Sequence, residues 1–128
     1  MKLLLDTHTF LWWILDDPKL SARAIELIGD SRNTLYWSAA SSWEVSIKYA
    51  LGRLPLPERP EQFLPAEFGK NRIESLTIVD AHAFRAGQLP RHHADPFDRM
   101  LVAQAQLESL GLISNDEQLS LYEVDLHW

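Results

Sequence analysis

The sequence predicts a three-layer α/β domain in which helices cover both faces of a mainly parallel β-sheet. Short apolar segments of strand length alternate along the chain with longer segments whose apolar residues recur at helical spacing. Strands that alternate with helices pair in parallel, because each helix returns the chain to the starting edge of the sheet. At 128 residues the chain has room for one hydrophobic core, so we expect a single domain over residues 1–128.

The first half of the chain alternates strand and helix twice. Three leucines precede Asp6-Thr7, which form a helix start before Phe10 and Leu11, and Asp17-Pro18 ends that helix. The predicted elements are a strand at 2–5, a helix from about 7, a helix from 21 to 28, a strand at 34–37 and a helix at about 41–51.

The second half repeats the pattern after an irregular loop at 52–60, which holds three prolines and a glycine. Pro96 suits the first position of a long helix, and Gly111 suits its end. The predicted elements are a helix at 61–70, a strand within 73–79, a helix at 81–89, a helix from 96, a strand at 112–114 and a strand at 122–126.

Composition restricts the possible chemistry. The chain has no cysteine, which excludes a disulfide framework, a thiolate metal site and a cysteine nucleophile. No segment approaches the length of an apolar membrane span, so we expect a cytoplasmic protein without a membrane partner. The net charge of −6 does not exclude nucleic acid, because acids gathered in one pocket can bind cations that contact phosphate.

Four acids fall where ligands bind in open α/β sheets, beyond the carboxyl ends of the strands. Asp6 follows the first strand, Asp116 follows the strand at 112–114, and Glu44 and Asp98 lie near the starts of predicted helices. Taken singly, each acid has a local explanation, because acids are common at helix starts and in turns, and Ser41 with Glu44 matches a capping box. Together at one rim they would repel one another, and Mg²⁺ or Mn²⁺ would remove that cost.

The same residues resemble the motifs of PIN-domain ribonucleases, with the spacing of the VapC-like toxins of prokaryotic toxin–antitoxin pairs. The resemblance covers essentially the whole chain and rests on residues 3–7, the isolated Glu44, residues 98–105 and residues 114–116, while the stretch 95–99 is similar to one branch of the family. It implies an α/β/α fold, Mg²⁺- or Mn²⁺-dependent cleavage of RNA, a homodimer and inhibition by a small cognate antitoxin.

On the matching positions, the resemblance implies that Asp6, Glu44, Asp98 and Asp116 form the catalytic, metal-binding tetrad. The expected supporting residues are Thr7, Asp95, Ser114 and Asn115, and Asp98 rather than Asp95 is expected to point inward. Arg91 and Arg99 flank the third motif and are the candidate phosphate contacts.

Two other functions remain open. A metal-dependent phosphatase with an aspartyl nucleophile also places an Asp after its first strand, but Thr7-His8-Thr9 lacks the second acid of that chemistry. A non-catalytic interaction module could use the same carboxylates to bind a basic peptide. The sequence does not reveal the RNA target, the number of metal ions or the antitoxin.

Overall fold

The computed structural model describes all residues 1–128 and contains a five-stranded sheet in the order β3-β2-β1-β4-β5. The strands are β1 (Lys2–Leu5), β2 (Thr34–Ser38), β3 (Ile73–Leu76), β4 (Gly111–Ile113) and β5 (Asp125–His127). All four neighbouring pairs are parallel. The predicted sheet is therefore confirmed, and it is parallel throughout.

Six α-helices connect the strands. They are α1 (Thr7–Ile14), α2 (Ala22–Gly29), α3 (Ala39–Ala50), α4 (Pro60–Asn71), α5 (Asp80–Gln88) and α6 (Pro96–Glu108). A short 3₁₀ helix, Glu117–Leu121, which the sequence did not predict, lies between β4 and β5. None of the helices combines the length and the apolar character that crossing a membrane would require.

The alternation of β1 side chains explains the three layers. Leu3 and Leu5 are fully buried in one apolar cluster with Phe10 of α1, and Leu4 is fully buried in a second cluster with Leu101 of α6. Successive residues of a strand point to opposite faces, so one apolar strand covered on both sides joins two cores. These two layers of helices around the sheet confirm the α/β/α prediction.

The order of the strands determines where a site can form. The chain builds the sheet from β1 toward β3 and then crosses back to place β4 on the other side of β1. The connections that follow β1 and β4 therefore run in opposite directions along the sheet. A crevice opens between them at the carboxyl ends of these two strands.

Three boundary predictions are wrong. Gly111, which the sequence predicts at the end of the long helix, is instead the first residue of β4, because Ser109 adopts a left-handed conformation with a φ of 55° and ends α6. The last strand is Asp125–His127 rather than 122–126, because Tyr122 instead packs in the second core and its hydroxyl donates to Pro90 O at 2.9 Å. Helix α3 begins at Ala39, two residues before its predicted start, since Ser38 is the N-cap and accepts from Ala40 N at 3.0 Å. Ser41 therefore does not cap the helix, so a capping box with Ser41 does not explain Glu44, which lies in the second turn of α3.

Candidate active site

The four acids singled out in the sequence come from four different segments that meet at the carboxyl edge of the sheet. Asp6 follows β1 and caps α1, and Asp116 follows β4 and caps the 3₁₀ helix. Glu44 and Asp98 reach the same edge from α3 and α6. Asp6 and Glu44 are almost fully buried, with 6% and 5% of their surface exposed.

Asp6 is fixed by donors on both carboxylate oxygens. The backbone N–H of Thr9 donates to Oδ1 at 2.8 Å, and the Ser114 hydroxyl donates to Oδ2. Ser114 also accepts from the N–H of Asp116 at 3.1 Å, so one buried hydroxyl connects two of the acids. Ser114 therefore lies against both acids, and its supporting role stays a prediction.

Glu44 is fixed in the same way on the other side of β1. The Thr7 hydroxyl donates to Glu44 Oε1 at 2.6 Å and lies 2.9 Å from the hydroxyl of Ser41. Lys48, one turn further along α3, places its ammonium 2.6 Å from Glu44 Oε2. Such donors and a nearby cation offset the cost of burying a carboxylate.

His93 connects Asp98 and Asp116. Its Nε2 lies 2.7 Å from Asp116 Oδ2 and 3.2 Å from Asp98 Oδ2. One potential ligand atom from each of the three residues lies within 4.8 Å of the others. Asp116 Oδ1 accepts from Gln118 N at 3.0 Å. The imidazole of His93, which is not among the predicted site residues, therefore lies between the two acids.

Asp98 is the acid of this group whose pKa is shifted by its surroundings. Burial and the negative charges of Asp95, Asp6 and Glu44 raise its pKa from 3.8 to about 7, against the opposing effect of His93. Asp6, Glu44 and Asp116 each accept hydrogen bonds on both oxygens, whereas Oδ1 of Asp98 has no protein donor.

The donor set fits a hard divalent cation. Carboxylate oxygens are the ligands that Mg²⁺ and Mn²⁺ prefer, and the free oxygen of Asp98 supplies one that no other group neutralises. The pKa of Asp98 is raised first by burial and then by the neighbouring negative charges, and a bound cation would offset both effects. Asp6, Glu44, Asp98 and Asp116 are the residues that would hold it.

Asp95 and Asn115 lie beside the acids in different roles. Asp95 caps α6, and its Oδ1 accepts from Phe97 N at 2.8 Å and Asp98 N at 3.3 Å. Its carboxylate thus sets the start of the helix that carries Asp98, and Asp98 is the acid that meets the others. Asn115 is exposed and makes no hydrogen bond to the four acids.

The two candidate phosphate contacts differ. Arg91 is exposed in the loop between α5 and α6, which also carries His93. The guanidinium of Arg99 instead donates to the carbonyls of Ala86, Leu89 and Pro90 at 2.8–3.0 Å, at the carboxyl end of α5. Backbone carbonyls accept from both terminal nitrogens of Arg99, so this arrangement does not favour a phosphate contact, which stays a prediction.

Comparison with known proteins gives several matches. Ribonuclease VapC16 of Mycobacterium tuberculosis (strain ATCC 25618 / H37Rv) is 36% identical over an alignment of 69 residues, and the match covers 51% of this chain and 49% of that protein. The chain therefore spans about half the length of this curated relative.

Solved structures match over nearly the whole chain. VapBC2 from Rickettsia felis, bound to a DNA fragment from its promoter, gives a TM-score of 0.72 at 18% identity over 99% of this chain and 98% of that one. FitAcB from Neisseria gonorrhoeae gives a TM-score of 0.64 at 19% identity, and the match covers 98% of this chain and 96% of that one. At these low sequence identities, the comparison shows that this chain shares the fold of both structures.

The family model described as the PIN domain matches residues 3–125. This span includes β2, β3 and β4, most of β1, the first residue of β5, the four acids and His93. With the topology and the acidic edge already described, the match shows that the chain belongs to the PIN-domain family.

Proposed function

We propose that the protein is an Mg²⁺- or Mn²⁺-dependent endoribonuclease and the toxin of a toxin–antitoxin pair. The observation that carries the proposal is the meeting of four acids from four chain segments at one sheet edge, with the pKa of Asp98 raised to about 7. The match to a protein named as a ribonuclease supports RNA as the substrate.

Each part of the site has a chemical task in this proposal. When bound, a divalent cation would polarise a phosphate oxygen and lower the pKa of a water molecule, which supplies hydroxide at neutral pH. Thr7, Thr9 and Ser114 keep the carboxylates of Glu44 and Asp6 in fixed positions, so little reorganisation is needed when substrate arrives. Lys48 balances part of the negative charge that an RNA phosphate would meet.

The proposed partners are RNA, a small cognate antitoxin and a second copy of the chain, and the proposed location is the cytoplasm. A toxin–antitoxin complex from Klebsiella pneumoniae is among the proteins that share the fold, which supports an antitoxin partner. A basic side chain of an antitoxin would find the crowded acids a favourable site, because it would offset the charge that raises the pKa of Asp98.

Cleavage of RNA by purified protein tests the function. Wild type, Asp6→Asn and Asp98→Asn are compared with Mg²⁺, with Mn²⁺ and with EDTA, on a fluorogenic RNA and on a small phosphate ester. Asn caps helices as well as Asp does, so Asp6→Asn preserves the start of α1 while removing a charge. Asp16→Asn, at an exposed turn with φ of 53°, is the matched control because Asn tolerates that conformation.

We expect metal-dependent RNA cleavage that falls at least about 100-fold in both site variants and is unchanged in the control. Equal cleavage by all four proteins would identify a contaminating nuclease or a wrong site. Hydrolysis of the phosphate ester but not of RNA would replace the proposal with a phosphatase. Metal-independent binding of a basic peptide without any hydrolysis would replace it with an interaction module.

A further inference from the structure

His93 occupies a position that neither the four-acid site nor the comparisons explain. We propose that His93 is a positioning residue, which donates its Nε2–H to Asp116 Oδ2, lies 3.2 Å from Asp98 Oδ2, and so presents both carboxylates to a divalent cation without binding the cation itself. This inference rests on the proposed metal-dependent function.

The environment of the ring fits a fixed role. Only 12% of the His93 side chain is exposed, and its Nε2 lies within 3.2 Å of carboxylate oxygens from two separate segments. His92, the adjacent residue, is exposed and packs against Tyr122 with ring centroids 5.1 Å apart. Of the two adjacent histidines, only His93 faces the acids.

A backbone hydrogen bond determines which ring nitrogen carries the proton. The N–H of Asp95 donates to His93 Nδ1 at 3.1 Å, so Nδ1 offers its lone pair and a neutral ring carries hydrogen on Nε2. A metal ligand at Nε2 would need the opposite tautomer, which would point an Nδ1–H at the N–H of Asp95. The geometry therefore makes His93 a donor toward the carboxylates and disfavours it as a ligand.

The main chain of His93 is held from two sides, which keeps the donor in place. Its N–H donates to the Tyr122 hydroxyl at 2.9 Å, and its carbonyl lies 3.4 Å from Arg99 Nη1. The same Tyr122 hydroxyl donates to Pro90 O at 2.9 Å, which ties down the start of the loop. Arg99 and Tyr122 thus contribute to the site by fixing this loop.

His93 affects the orientation of the carboxylates of Asp98 and Asp116. Both Oδ2 atoms turn toward the imidazole, and this leaves Oδ1 of Asp98 free of protein donors. Groups that hydrogen-bond to metal-binding carboxylates orient them, and losing such a group weakens metal affinity by about 10- to 100-fold. His93 is the only imidazole in contact with the four acids.

The first test measures binding of Mg²⁺ and Mn²⁺ by calorimetry to metal-stripped protein, using His93→Ala, His93→Gln and the control His92→Ala. We expect His93→Ala to weaken the affinity for both ions by about 10- to 100-fold. The amide of Gln places an N–H near the position of Nε2, so His93→Gln should restore most of the loss. His92→Ala should bind both ions as the wild type does.

The second test uses the wild type alone and does not depend on how the variants fold. Long-range ¹H–¹⁵N NMR spectra should show the Nε2–H tautomer of His93 both before and after Mg²⁺ is added. A switch to the Nδ1–H tautomer on metal binding would overturn the inference in favour of direct ligation. A loss of Mn²⁺ affinity much larger than the loss of Mg²⁺ affinity in His93→Ala would do the same, because imidazole favours the softer ion.

Asp98→Asn separates the failure of this inference from failure of the proposed function. If Asp98→Asn binds both ions as tightly as the wild type, the metal site itself is wrong and the inference falls with it. If Asp98→Asn loses binding while His93→Ala retains or improves it, the metal site stands and the positioning role of His93 is refuted.

Discussion

The raised pKa of Asp98 predicts that this acid destabilises the metal-free protein at neutral and alkaline pH. In the folded state its pKa is about 7, whereas the ordinary pKa of an Asp side chain, which applies to the unfolded chain, is 3.8. The folded protein therefore binds a proton that the unfolded chain releases, and the free energy of unfolding falls as pH rises from about 4 to about 7. Above that range the effect is constant. Asp98→Asn removes the titration and should stabilise the metal-free protein there.

The size of the effect follows from the same values. Each pH unit between the two pKa values corresponds to about 1.4 kcal/mol, so the full difference sets an upper limit of about 4 kcal/mol. The Asp98 side chain is 23% exposed, and solvent and neighbouring side chains relax around its charge. We therefore expect Asp98→Asn to gain about 1–2 kcal/mol over the wild type at pH 8.

Urea unfolding of both proteins in EDTA at several pH values from 5 to 8 measures this difference. The advantage of Asp98→Asn should grow with pH and level off above about 7. Asp16→Asn, at an exposed position, should follow the wild type throughout. A difference between Asp98→Asn and the wild type that stays constant from pH 5 to pH 8 would refute the reasoning.

Three further substitutions have outcomes that follow from the structure. Gly111→Ala should lower the free energy of unfolding by about 1–3 kcal/mol in urea titrations, because the added Cβ would lie 2.8 Å from a methyl carbon of the fully buried Leu3. Unchanged stability would mean that β1 and β4 move apart easily at this point. Arg99→Lys should cost about 2 kcal/mol by the same measurement, since an ammonium cannot serve the carbonyls that the guanidinium serves, and a wild-type midpoint would contradict this. Ser114→Ala should weaken Mg²⁺ binding by about 10-fold in calorimetry by releasing Asp6, whereas full affinity would show that Asp6 needs no such support.

The sequence predicted the fold well because the signals involved are local and repeated. The leucines of β1, the caps at Asp6 and Ser21, and Pro96 all act within one element, and each of these elements is present. The last strand was misplaced because its pairing with β4 depends on where Tyr122 anchors the chain. That anchor is a contact with a loop about thirty residues earlier, which no local pattern encodes.

The acids were predicted as a group, but their partners were not. Proximity of Asp6 and Asp116 follows from the adjacency of β1 and β4. The contact of His93 with two acids depends instead on the path of a polar loop, and adjacent histidines in such a loop give no signal that separates the buried one from the exposed one. The role of Arg99 was missed for the same reason, since its acceptors are backbone carbonyls rather than particular side chains.

The position of β1 at the centre of the sheet has a consequence for biosynthesis. Its carboxyl end carries Asp6, which is synthesised 108 residues before Ser114, and Ser114 and Asp116 are made only after β4. A nascent chain therefore has no complete group of acids until β4 has been made. For an enzyme proposed to cleave RNA, this order of synthesis keeps the growing chain inactive beside its own messenger until the sheet closes around β1.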